Sequence, residues 1–75
     1  MFEKVREIIV DTLSCEMDQV TMEADLSEDL GADSLDAMEL NIALKEQLGL
    51  SIADEDRPNL KTVGDIVRYL EAKEA

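Results

Sequence analysis

The stretch that decides the fold is LGADSLDAMELNIALKEQLG, residues 30–49. Gly31 breaks whatever precedes it and Gly49 is a natural C-terminal residue, so a helix is expected to start near Asp33 or Ser34 and stop near Gly49. At about 100° per residue from Ser34, Ala37, Leu40, Leu44 and Leu48 fall on one narrow stripe, as a core-facing helix requires. Leu35, Met38 and Ile42 fall on a second stripe roughly opposite, flanked by Glu39 and Glu46, with Asp36 further round. A small bundle rarely needs both faces buried. Two readings of the second stripe stay open. It is either more core, packed beneath a loop or the last helix, or a docking face where carboxylates steer a basic partner and apolar contact holds it briefly.

Outward from this helix the pattern continues on both sides. Phe2, Val5, Ile8, Ile9 and Leu13 share one helical face, which predicts a helix from about Phe2 to Leu13. From Ser14 to Gly31 no long period holds, and Val20, Met22, Leu26 and Leu30 are spaced apolar anchors in an acidic segment whose length suggests a functional loop. Beyond Gly49, SIADEDRPNLK is a short connection with Ile52 and Leu60 turned inward, and Pro58 limits any helix there to about a turn. Thr62 caps the last helix with Asp65 as a capping-box variant, Val63, Ile66, Val67 and Leu70 form its stripe, and Gly64 weakens it slightly. The expectation is an all-α fold, one domain over residues 1–75. It is a small antiparallel-type bundle of three main helices plus one short helix, with a long loop between helices one and two.

Composition narrows the function. Nineteen acidic residues against seven basic ones give a net charge of -12, and no Lys or Arg occurs between Arg6 and Lys45. Such a field repels nucleic acid and anionic lipid and attracts basic protein surfaces. A chain this short buries only about 60% of its unfolded surface, and with Phe2 and Tyr69 as the only aromatics its thin core is built from Leu, Ile, Val and Met. Cys15 has no internal disulfide partner and reads as a small apolar residue near a helix end. With no leader-like start and no apolar run near the about 20 residues a membrane span needs, the expected setting is a cytoplasmic monomer.

The chain contains no histidine, so imidazole-activated serine chemistry is impossible and the usual transition-metal ligand is missing. The acidic loop fails the EF-hand test as well. With Gly31 at position six, Leu26, Glu28 and Leu30 would fill positions one, three and five, and Ala37 would replace the closing glutamate. No metal site is expected. Ser34 has two properties that do not compete. It stands where a helix cap stands, and an anion attached there would lie at the positive end of the helix dipole with free N–H groups nearby.

GADSLDAMEL, with Leu30 before it and ALKEQLG after it, resembles the phosphopantetheine attachment motif of acyl carrier proteins of bacterial, type II fatty-acid synthesis. The resemblance spans almost the whole chain, including the loop ADLSEDLGADSL, a short third helix around residues 54–60, and TVGDIVRYLE. It implies a carrier, not an enzyme, whose Ser34 is esterified with 4'-phosphopantetheine from coenzyme A by a phosphopantetheinyl transferase. The arm's thiol then carries acyl intermediates. It further implies that Asp33, Leu35, Asp36, Met38, Glu39, Ile42 and Glu46 meet basic patches on the transferase and the fatty-acid synthesis enzymes. Leu26, Leu40, Leu44, Ile52, Leu60 and Ile66 would wall an acyl pocket. Lys45 on a usually acidic helix, Asn41 at a position often apolar, and Pro58 in the short helix depart from the family pattern. The alternatives are a carrier for a polyketide or specialised lipid pathway, or an acidic helical interaction or cation-binding module.

Overall fold

α1 covers Phe2–Leu13, α2 Ser34–Leu48 and α3 Val63–Glu74 in the computed structural model, which describes residues 1–74. Two 3₁₀ turns, Met17–Gln19 and Arg57–Asn59, punctuate the connections. The fold is all-helical, as the apolar stripes predict. α1 buries Val5, Ile8 and Ile9, and α3 buries Val63, Ile66, Val67 and Leu70. These join Leu40 and Leu44 of α2, with Val20, Ala24 and Ile52 from the connections, in one core. Each helix end has a local cause. α1 closes at Ser14, which adopts φ 56°, and α2 closes at Gly49, whose N–H reaches the Lys45 carbonyl from φ 71°. α3 opens on the expected capping box, with the Asp65 N–H donating to Thr62 Oγ1 at 3.1 Å and the Thr62 N–H to Asp65 Oδ2 at 3.2 Å.

α1 packs against both α2 and α3, whereas α2 and α3 make no backbone approach to one another among the described residues. The space between them is closed by the two connections instead. The long loop docks on the start of α3 through main-chain bonds: Leu26 N–H to Lys61 O at 2.9 Å, Val63 N–H to Ala24 O at 3.0 Å, and Gly64 N–H to Met22 O at 2.8 Å. From the other side, Asn41 on α2 holds Ile52 by both main-chain groups, at 2.8 and 3.1 Å. The Tyr69 hydroxyl accepts from the Ala53 N–H at 3.3 Å and donates to Asp56 at 2.8 Å. The short third helix suggested for residues 54–60 is reduced to a turn and the Pro58-containing 3₁₀ segment.

Candidate functional site

The start of α2 organises the site. Asp33, not Ser34, is the cap: its carboxylate accepts the Asp36 N–H at 2.9 Å, and the Asp36 carboxylate accepts the Asp33 N–H at 3.2 Å. This reciprocal box moves the capping role suggested for Ser34 one residue back. Ser34 becomes the first helical residue, exposed to solvent, and its N–H and that of Leu35 belong to the first turn, which the helix itself cannot satisfy. A hydroxyl there is sterically accessible and stands in the positive end of the helix field.

Two grooves flank Ser34. One, about 560 Å³, is bounded among others by Asp25, Glu28, Asp33, Asp36 and Lys61. Hydrogen bonds from the Glu28 N–H and then the Ser27 hydroxyl hold the Asp25 carboxyl below the usual carboxylate range, so Asp25 keeps its charge into mild acid. The other, about 320 Å³, is bounded by Ala37, Met38, Asp54, Arg57 and Pro58. Behind both lies a small interior cavity of about 50 Å³, between α2 and α3, lined by Leu26, Ala37, Leu40, Ile52, Arg57, Leu60 and Ile66. Five of the six suggested pocket residues thus come together. Leu44 does not line the cavity and is fully buried in the core. Ala37 and Arg57 were missed. Arg57 carried a readable signal, since Asp54 precedes it by three residues, the spacing of the observed ion pair.

The second stripe of α2 is resolved by burial. Leu35 is 61% exposed, Met38 50% and Ile42 56%, so these side chains are not core. Asp33, Glu39 and Glu46 are exposed and Asp36 is half-buried. An apolar strip bordered by carboxylates therefore runs down α2 from the turn that holds Ser34.

A family model described as the phosphopantetheine attachment site matches residues 3–70. Relatives named acyl carrier protein, from three strains of Clostridium perfringens, are each 54% identical to this chain over 70 residues, covering 93% of it and 92% of theirs. The chain belongs to the acyl carrier protein family. As an acyl carrier protein it carries and does not catalyse, and its cofactor is 4'-phosphopantetheine. The residues present fit that group: an accessible hydroxyl at a helix start, a groove on either side, and an apolar cavity behind. No helix among the described residues is long and apolar enough to cross a membrane.

Proposed function

We propose that this acyl carrier protein carries the intermediates of fatty-acid synthesis in the cytoplasm, as thioesters on an arm joined to Ser34. The observation that carries the reading is the position of Ser34. Its exposed hydroxyl opens the one long helix whose outer face is also apolar, between two grooves that abut an interior cavity. The prosthetic group supplies a thiol at the end of a flexible arm. The chain's own residues supply attachment, an address and a shelter.

Attachment makes Ser34 Oγ the ester oxygen of a phosphodiester: the Oγ–P bond forms as the pyrophosphate of coenzyme A breaks, and its adenosine bisphosphate part leaves. The chain has no histidine to take the serine proton, and this reading gives that task to a base on the partner. The address is the strip of Leu35, Met38 and Ile42 with Asp33, Asp36, Glu39 and Glu46. Carboxylates raise the encounter rate with a basic patch, and a small apolar contact releases quickly, which suits a carrier that visits a transferase and then several enzymes in turn. The shelter is the cavity lined by Leu26, Leu40, Ile52, Leu60 and Ile66.

Incubation with coenzyme A and a phosphopantetheinyl transferase should raise the intact mass by one arm, mapped to the peptide containing Ser34, and Ser34→Ala should take no label. An unmodified wild-type chain, or a label that persists in Ser34→Ala, would overturn the reading. The acyl groups on protein purified from its source test the pathway. Saturated chains growing in two-carbon steps are expected, whereas polyketide intermediates would assign the carrier elsewhere.

A further inference from the structure

The two grooves beside Ser34 differ in charge. On one side Asp25, Glu28, Asp33 and Asp36 place four carboxylates against a single ammonium, Lys61. On the other the charged lining is one ion pair, Asp54 with Arg57, among Ala37, Met38 and Pro58. A phosphodiester is a monoanion with two unesterified oxygens, the shape that a guanidinium fork binds in parallel. An anion formed on Ser34 therefore lies between a groove that repels it and a groove that offers a matching cation.

Arg57 is built to respond. Its Nη2 lies 2.9 Å from Asp54 Oδ1, but the Asp54 side chain is 89% exposed, so this tether is weak and screened by salt. The Arg57 side chain is only 32% exposed, because it also walls the interior cavity. Beneath it the 3₁₀ turn Arg57–Asn59 contains Pro58, which fixes the local backbone. The guanidinium can exchange one oxygen partner for another while its stem stays packed.

We propose that Arg57 is the phosphodiester-binding residue of this carrier, exchanging Asp54 for the anion on Ser34 and directing the arm into the groove of Ala37, Met38 and Pro58. The proposal rests on attachment at Ser34. It places the root of the arm at the threshold of the cavity, since Ala37 and Arg57 line both spaces. It also puts the arm beside Met38, so a partner docked on the outer strip of α2 meets arm and address together.

Phosphorus NMR of the full-length holo-protein tests this, after mass mapping has established the arm on Ser34. Arg57→Gln should move the phosphodiester resonance and abolish its salt dependence. Arg57→Lys should keep part of both, Asp54→Asn should strengthen the wild-type signature, and Lys61→Gln should leave it in place. Dichroism melts show whether each variant folds; should Arg57→Gln unfold, the Arg57→Lys and Asp54→Asn pair decides. A resonance indifferent to Arg57 and Asp54, or one that follows Lys61 instead, overturns the proposal and leaves Ser34 attachment intact. A chain that takes no arm on Ser34 overturns both.

Discussion

Asn41 binds a single residue with both ends of its side-chain amide. Nδ2 donates to the Ile52 carbonyl at 3.1 Å and Oδ1 accepts the Ile52 N–H at 2.8 Å. The side chain thus does for one residue what a neighbouring strand does in a sheet, and Ile52 is a wall of the interior cavity. Replacement by a residue of similar volume without polar atoms, Asn41→Val or Asn41→Leu, strands two partly buried main-chain groups at a cost of about 1–3 kcal/mol. In a domain of this size each kcal/mol lowers the melting midpoint by roughly 4–8 °C. Thermal melts of apo-protein should therefore show a fall of several degrees or more. An unchanged midpoint would mean that water replaces the amide at no loss. The aspartates beside Ser34 close the capping box and also line the groove next to it. Glu39 and Glu46 form no such bond among the described residues, so substitutions there change the surface charge without loosening the helix.

At the level of elements, Gly64 shows how the long loop is attached. A Cβ at this position would stand 2.8 Å from the Met22 carbonyl oxygen, the same oxygen that accepts the Gly64 N–H. Helix propensity alone predicts that Gly64→Ala stabilises α3 by about 1 kcal/mol. Crowding of a main-chain atom costs about 1–3 kcal/mol, so the net expectation is a loss of about 1 kcal/mol, measurable by urea titration; a gain would show that the loop backs away freely. The sequence made the three helices legible because each has apolar residues at 3.6-residue spacing, and the caps at Thr62 and Gly49 were legible because side-chain chemistry specifies them. It left the loop's attachment hidden, since the bonds from Leu26, Val63 and Gly64 join main-chain groups that carry no residue signature. The Met17–Gln19 turn was missed although Glu16 and Gln19 form its capping box, a spacing that can be read. Ser34 was legible as a position, and the outer stripe of α2 only as a choice between two faces. α2's own pattern marks Leu40 and Leu44 as core and puts carboxylates beside the second stripe, but whether that stripe is also covered depends on where the loop and the other helices pack. Asn41 was visible as an oddity, but its partner lies 11 residues away, beyond any helical period.

Taken whole, the molecule is compact against its own charge. The Cα radius of gyration is 10.9 Å, close to the about 11 Å expected for a folded chain of 75 residues, at a net charge of -12. Among the described residues the ion pairs are Arg57–Asp54 and Arg68–Asp65, both local and each with one exposed partner, so most carboxylates face one another through solvent. Screening weakens these two slight attractions but relieves repulsion among many charges, and the second effect wins. Melting temperature should rise with ionic strength, and a flat profile would contradict this. Acid acts through particular groups. The Thr62 and Lys61 N–H groups hold the Asp65 carboxyl below its ordinary 3.8, as the Glu28 N–H does for Asp25. Each has a lowered folded-state pKa, so its contribution is complete above 3.8 and is lost as pH falls through the lowered value. A double Asp25→Asn, Asp65→Asn variant should accordingly be less stable than wild type at neutral pH and converge with it well below pH 3.8; a gap that persists in acid would count against charge as the cause. The separation of α2 from α3 has its own outcome. α1 is a spine with a wing on either side, and the wings meet through core side chains and connecting chain, with no close approach of their backbones among the described residues. A guest lodged between them would displace loop before helix, like a tenant moving a partition while the bearing walls stand.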